Sequence, residues 1–157
     1  MSNLVLELRQ GDVMIVNGAP IRFRTKSRIE LTAKARFLFG KQIMRPDQAD
    51  TPARRIYFAL QTAYIGDEAE RPRGLATARE LIAAFKGATT SSLAREILDD
   101  ALTAAEADDC YQALKLTRRI ISHEDSVLTR AAPVARPVEA RPTNVRELVT
   151  SELEPCR

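Results

Sequence analysis

The chain has 157 residues, of which 45% are hydrophobic and 29% are charged. This length suits one domain, and this composition is typical of a soluble globular protein rather than a disordered or fibrous one. Apolar runs are too short to span a bilayer and no secretory leader pattern is evident, so a cytoplasmic protein without membrane attachment is expected. Cys110 and Cys156 are isolated thiols without metal-type spacing, which favours a reducing compartment.

The net charge of +3 is unevenly distributed along the chain. Residues 1–60 carry 11 Lys and Arg against 5 Asp and Glu, whereas residues 61–130 carry 9 against 12. The basic side chains are therefore concentrated in the N-terminal part, which predicts a surface there that faces a polyanion.

Residues 1–32 have the pattern of a small antiparallel sheet of three or four strands. The run LVLEL, from Leu4, alternates in the manner of a strand, and VMIV is rich in β-branched residues. Asn17-Gly18 follows VMIV directly and predicts a type I′ hairpin turn. IRFRT and RIEL then continue as one bent strand or as two short strands.

Residues 33–130 are predicted to be a helical section of the same domain. Thr32 is a suitable N-cap for a first helix carrying Ala35, Leu38, Phe39 and Gln42 at helical spacing, and Thr51-Pro52 marks the start of the next. The run from Thr89 to Ser92 and the pair Asp108-Asp109 can cap the last two helices. The inward-facing residues expected in the four later helices are Ile56, Leu60, Ala63 and Tyr64; Leu75, Ala78, Ile82 and Phe85; Leu93, Ile97, Ala101 and Ala104; and Cys110, Leu114, Thr117 and Ile121.

Residues 131–157 lose this periodicity and contain four prolines. We expect a mobile Pro-rich tail, in which NVRELVTSEL could form a short amphipathic helix on a partner. The predicted fold class is therefore α+β: a small N-terminal antiparallel β-sheet, a C-terminal helical bundle and a flexible tail.

The sequence offers no catalytic constellation. His123 is the single histidine and lies near the end of the last predicted helix, where a cation suits the helix terminus. Asp99-Asp100 and Asp108-Asp109 are explained as solvated helix faces or N-caps rather than as a metal or acid–base site. No phosphate-binding glycine loop or nucleophile motif occurs. We expect a non-enzymatic protein without a metal or other cofactor.

The stretch PIRFRTKSRIEL places a cation at every second position: Arg22, Arg24, Lys26 and Arg28. On a single strand all four would lie on one face. A solvated outer face is the ordinary explanation, but arginine's planar donor fork suits phosphates, and few acidic residues are nearby. We therefore predict an RNA-binding surface, extended by the positive charges that follow the row. The added contact residues are Lys34, Lys41 and Arg45, and Arg54 and Arg55 extend the positive field.

Three segments of the chain resemble the FlbT family of flagellar regulators from alphaproteobacteria. They are LRQGDVMIVNGAPIRF, IELTAKARFLFGKQIMRPDQADTPARRIYFALQTAYIG and CYQALKLTRRII, and the likeness spans residues 3–128. The resemblance implies a non-enzymatic cytoplasmic regulator that associates with the 5′ leader of flagellin mRNA and affects its translation and decay. Family members repress or promote flagellin synthesis, and flagellin or a companion flagellar regulator is a further partner that the family implies.

The leading hypothesis is thus a post-transcriptional repressor that binds the flagellin leader through its basic sheet face. The alternative is a protein-interaction module that binds flagellin or a companion regulator through its helices and affects mRNA only indirectly. A sheet with open edges can also pair with a second copy, which makes a homo-oligomer a further hypothesis.

Overall fold

The computed structural model describes residues 3–131, which form five strands followed by four helices. This arrangement confirms the predicted α+β class, with antiparallel strands first and helices after them. The strands are β1 Leu4–Leu8, β2 Val13–Val16, β3 Ala19–Arg22, β4 Ser27–Leu31 and β5 Phe37–Phe39, and the helices are α1 Pro52–Ile65, α2 Glu70–Ala88, α3 Ser92–Glu106 and α4 Cys110–Ala131. Within this part of the chain, no helix has the length and apolar character needed to cross a membrane.

The chain divides into two compact units within α4. The first, Met1–Asp125, contains all five strands, three whole helices and the larger part of α4. The second, Ser126–Arg157, is described only over residues 126–131, which form the end of α4. The tail predicted over residues 131–157 lies outside the described residues, apart from Ala131 at the helix end.

One hairpin register runs through four of the strands. Where β1 pairs with β4 and β2 pairs with β3, the two residues of each pair are equally distant in sequence from the Asn17-Gly18 turn. Both turn residues have positive φ, 48° and 86°, as a type I′ turn requires. Between the two paired stretches, the Phe23 amide donates to the Asp12 carbonyl at 2.9 Å. The segment expected to be one bent strand or two short ones is therefore two strands that share one register.

The helix predicted from Thr32 is wrong, because the chain there forms β5 and a short 3-10 turn, Gly40–Gln42. β5 pairs with β2 and buries Leu38. Just before β5, the Arg36 amide donates to the Asn17 side chain and the Arg36 carbonyl accepts from the Asn17 amide. Pairing with β2 satisfies backbone groups that a helix would satisfy internally, so a nonlocal contact overrides the helical spacing of the apolar residues.

Side-chain caps confirm three predicted helix starts. Thr51 caps α1, Ser91 caps α3 and Asp109 precedes α4, and each accepts a hydrogen bond from the amide three residues later, at 3.3, 3.2 and 3.3 Å. Helix starts leave amides without intrahelical partners, and these side chains satisfy one amide each. Local sequence therefore determines where these helices begin.

Most predicted inward-facing residues of the helices are buried or half-buried, with one clear exception. Leu93 is 57% exposed, whereas its neighbour Ala94 is 2% exposed and begins the buried stripe of α3. The stripe therefore starts one residue later than predicted, and Leu93 stands on the outer side of the first turn.

α1 and α2 approach each other closely at Gly74. A Cβ added to this glycine would lie 2.6 Å from the Ala63 amide nitrogen and 2.8 Å from the Ala59 carbonyl oxygen, closer than carbon atoms pack. Ala59, Ala63 and Ala78 are all buried beside it. Small residues on both helices thus bring the two backbones together.

We expect Gly74→Ala to lower the free energy of unfolding by about 1–3 kcal/mol, because the added methyl group overlaps the α1 backbone. The matched control is Gly87→Ala, also in α2, where an added Cβ meets no atom within 4 Å. Helix propensity alone should leave the control neutral or more stable by up to about 1 kcal/mol. Denaturant unfolding of both variants measures the difference, and equal stabilities would contradict the close approach.

Cys110, at the start of α4, is 4% exposed, and burial followed by the nearby charge of Asp108 raises the pKa of its thiol above the ordinary value of 9.0. The folded chain then holds this proton at pH values where the unfolded chain has lost it. We expect the free energy of unfolding to fall as pH rises above about 9. Cys110→Ala should show a shallower fall when unfolding is measured between pH 7 and 10. An identical fall in both proteins would show that the thiol does not contribute.

Candidate nucleic-acid interface

The seven cations predicted to bind RNA are all exposed, but the first four do not lie on one strand. The strands form two sheets, one of β1 and β4 and one in the order β3-β2-β5. Arg22 ends β3 and Arg28 lies in β4, so they belong to different sheets, and Arg24 and Lys26 occupy the bend between these strands. The expectation of one unbroken strand face is therefore wrong, because residues 23–26 leave strand geometry. The other three, Lys34, Lys41 and Arg45, lie between β4 and α1.

Six of these seven cations form no ion pair within the described residues. The exception is Arg45, whose guanidinium lies 3.2 Å from the Asp47 carboxylate with both side chains 69% exposed. Such an exposed pair contributes little energy and separates easily. Arg28 also stands opposite Glu7 in the β1–β4 register, while Arg22 stands opposite the apolar Val13. Most of the predicted positive charge is thus free to meet an external anion.

A cleft of about 770 Å³ gathers two of the predicted residues, Lys41 and Arg45. Four regions form its walls: the beginning of β2, the segment that follows β5, helix α1 and helix α4. Its remaining lining residues are Gly11, Asp12, Val13, Gly40, Ile43, Met44, Gln48, Arg54, Tyr57, Arg118 and Ile121.

Two side chains of α1 fix the segment that carries these cations. Gln61 is 6% exposed, and its amide oxygen accepts from the Met44 amide at 2.7 Å while its amide nitrogen donates to the Met44 carbonyl at 2.9 Å. The Tyr57 hydroxyl donates to the Gln42 carbonyl at 2.6 Å. These bonds hold residues 42–44 against α1, so Lys41 and Arg45 flank an anchored stretch of backbone.

Arg118 of α4 is a cleft residue that sequence reasoning missed. Its Nη2 donates to the Tyr57 hydroxyl at 3.2 Å, and its guanidinium carbon lies 5.6 Å from the centre of the Tyr57 ring. This is a cation–π arrangement, so an aromatic ring rather than a carboxylate holds the charge. The signal in the sequence was its position directly after the inward-facing Thr117, which puts Arg118 at the border of the helix's buried stripe.

Arg54 and Lys34 contribute less to this cleft than the sequence suggested. Arg54 lines it, but its guanidinium bonds to both carboxylate oxygens of Asp125, at 2.9 and 3.0 Å, and lies 3.9 Å from Asp50. Lys34 lines a different cleft of about 940 Å³, which also contains Asp108. The structure therefore brings together Lys41 and Arg45, adds Arg118, and sets Lys34 apart.

The side chains of Tyr57, Tyr64 and Phe23 are mostly used in packing rather than exposed for base stacking. Tyr57 is 3% exposed, as core packing predicts. Tyr64 packs against Tyr111 with ring centres 6.1 Å apart and accepts from the Phe37 amide at 3.4 Å. Burial is the main cause that raises the pKa of the Tyr64 hydroxyl. Phe23 is half-buried in the bend of the hairpin.

The residues weighed for catalysis have structural positions. His123 lies within α4, which continues to Ala131, so the histidine does not end its helix as expected. Asp99 forms an ion pair with Lys86, and Asp109 caps α4. Among residues 3–131, no group of three or more His, Cys, Asp or Glu side chains is placed to hold a metal ion.

Comparison with known proteins gives one consistent family. The family model described as "Flagellar protein FlbT" matches residues 4–128. A "Probable flagellum biosynthesis repressor protein FlbT" from Caulobacter sp. (strain K31) is 33% identical over 129 residues, which cover 80% of this chain and 95% of the relative. No solved structure matches the chain.

Two further relatives carry related names. A "Probable flagellum biosynthesis repressor protein FlbT" from Mesorhizobium japonicum is 32% identical over 149 residues, covering 85% of this chain and 95% of that protein. The "Flagellum biosynthesis repressor protein FlbT" of Caulobacter vibrioides (strain ATCC 19089) is 32% identical over 129 residues, covering 80% and 89%. The chain belongs to the FlbT family of flagellar proteins, whose curated relatives here are named repressors of flagellum biosynthesis.

Proposed function

We propose that this protein is a post-transcriptional regulator of flagellin synthesis that binds the 5′ leader of flagellin mRNA and affects its translation and stability. Relatives of this chain are named probable repressors of flagellum biosynthesis, which supports a regulatory role in flagellar synthesis. The observation that carries the RNA step is the set of seven exposed cations before α1, of which only Arg45 forms an ion pair within the described residues.

Exposed cations without carboxylate partners repel one another, and a phosphate chain removes that repulsion while releasing counterions. The arginines among them can donate two hydrogen bonds to one phosphate group. Phosphate contacts position RNA without reading its bases, so they account for affinity rather than for choice of sequence.

Binding the leader would lower flagellin synthesis by blocking the ribosome's access or by exposing the message to nucleases. Neither route needs a catalytic residue, metal or other cofactor in this protein. Because the message is translated in the cytoplasm, the proposed function also places the protein there.

We expect the variant with Arg22, Arg24, Lys26 and Arg28 all changed to Gln to bind the leader at least ten-fold more weakly in a gel-shift assay. If three or four phosphates are engaged, the logarithm of the wild-type affinity should fall with the logarithm of salt at a slope of about −2 to −3. The variant should show a slope closer to zero, since fewer counterions are released.

The control removes the same total charge from the exposed surface of the helices. It carries Arg73→Gln, Lys115→Gln, Arg119→Gln and Arg130→Gln, all at exposed residues. This control should bind the leader within about two-fold of wild type at the same salt concentration. Undiminished binding by the first variant would rule out the basic row as the contact surface.

An apolar groove between α1 and α2 favours a second candidate function, protein interaction. Two adjoining cavities of about 420 and 460 Å³ share Arg55 and Leu81. Half-buried Phe58, Leu81 and Phe85 supply apolar surface, and Arg55 and Arg73 are exposed without ion pairs among the described residues. Such a groove suits an amphipathic helix with acidic edges, and flagellin is the partner to test before a companion regulator.

If flagellin binds this groove, purified flagellin should be captured stoichiometrically by the wild-type protein without RNA. Leu81→Gln should weaken capture by about ten-fold, because a buried leucine contributes roughly 1.5 kcal/mol or more. The matched control is Leu93→Gln, at a leucine that is 57% exposed on α3. No complex at micromolar concentrations, or equal weakening by both variants, would count against this function.

Self-association stays a prediction. The two-stranded β1–β4 sheet has an open edge on each strand among the described residues, and Leu4 and Val5 of β1 are exposed. A second copy could pair with either edge.

A further inference from the structure

The cleft beside α1 combines apolar and cationic surfaces within a volume of about 770 Å³. This volume lies in the range of roughly 300–1,000 Å³ that small-molecule sites occupy. Val13, Ile43, Met44 and Ile121 supply apolar surface, and the cationic side chains come from the segment after β5 and from α1 and α4. An apolar surface beside fixed positive charges matches the two parts of a nucleotide, its base and its phosphate.

Arg118 is held in position before any ligand arrives. Tyr57 lies against its guanidinium and accepts a hydrogen bond from it, while the Tyr57 hydroxyl itself donates to the Gln42 carbonyl. Arg118 is nevertheless an exposed residue, and it forms no ion pair with a carboxylate in the described part of the chain. A planar guanidinium positioned in this way is a surface on which an unstacked base can stack.

Lys41 and Arg45 are the cleft cations available to bind a phosphate. Arg54 is occupied by Asp125, and the Arg45–Asp47 pair is exposed and weak. Lys41 is exposed and forms no ion pair with the described residues. Asp12 is the acidic residue in the lining, and its carboxylate accepts from the Arg9 amide at 2.7 Å.

We propose that this cleft binds one unstacked nucleotide of the single-stranded leader, with the base stacked on Arg118 and the adjoining phosphate at Lys41 and Arg45. The inference rests on the proposed function and adds a site that the basic row does not provide, since it involves α1 and α4. Single-stranded RNA is the substrate class because its bases can leave the stack, whereas a duplex keeps them inside.

The test compares Arg118→Lys, Arg118→Gln and Arg119→Gln by fluorescence anisotropy with the labelled flagellin leader. Arg119 is the next residue of α4, is also exposed and does not line the cleft, so Arg119→Gln removes the same charge at almost the same place. Arg118→Lys keeps the charge but removes the planar group. Thermal unfolding of each variant checks that the fold is retained.

Base stacking predicts that Arg118→Lys and Arg118→Gln both weaken leader binding by about ten-fold, while Arg119→Gln stays within two-fold of wild type. Arg118→Lys binding as tightly as wild type would overturn the stacking role, because charge alone would then suffice. Arg118→Gln and Arg119→Gln weakening binding equally would overturn the cleft as a site.

Lys41→Gln tests the phosphate half of the site. Loss of one phosphate contact on a single strand should reduce the magnitude of the salt slope by about 0.7, whereas Arg118→Lys should leave the slope unchanged. An unchanged slope in Lys41→Gln would overturn the phosphate assignment.

The same measurements separate this inference from the proposed function. If the basic-row variant loses binding while every Arg118 variant binds like wild type, the proposed function stands and the cleft site is wrong. If the wild-type protein does not bind the leader at micromolar concentrations, the proposed function fails and the nucleotide site fails with it.

Discussion

The two hydrogen bonds between Gln61 and the backbone of Met44 are the contact on which the cleft depends. A buried amide left without partners costs about 1–3 kcal/mol, so the segment after β5 is held at one place on α1. Tyr57 adds a second attachment through Gln42 and also positions Arg118 from the opposite side. α1 therefore bonds both to the segment after β5 and to α4, and it positions Arg118 and the backbone that lies between Lys41 and Arg45.

The hairpin and the chain from Arg36 onward differ in how often their cations form ion pairs. From Arg36 onward many cations form ion pairs, including some that join elements distant in sequence. These longer-range pairs are Arg36 with Asp108, Arg54 with Asp125, Arg79 with Glu106 and Lys86 with Asp99. The hairpin and its bend instead present cations with few acidic neighbours. The excess positive charge thus lies on the part of the fold that buries the least apolar surface, because a two-stranded sheet contributes little to a hydrophobic core.

Local patterns were enough to predict the four helices α1 to α4, because caps and apolar stripes are decided within a few residues, as Thr51 and Ser91 illustrate. β5 escaped prediction because the short run Phe37–Phe39 fits a helix or a strand equally well, and only pairing with β2 decides between them. Arg118 escaped for a related reason. Its importance depends on where α4 lies relative to residues 41–45, which no local pattern of charge or hydrophobicity reveals.

The shared register of the hairpin limits how its length can change. The residues of every β1–β4 and β2–β3 pair are equally distant in sequence from one two-residue turn. One residue inserted between β1 and β2 would therefore shift every β1–β4 pair by one position. Because side chains along a strand alternate between its two faces, this shift would turn Leu6 and its neighbours in β1 towards the face that Glu7 now occupies. Insertions that preserve the arrangement must come as matched additions on both arms. Otherwise they must fall in the connections that follow β4, where no such symmetry applies.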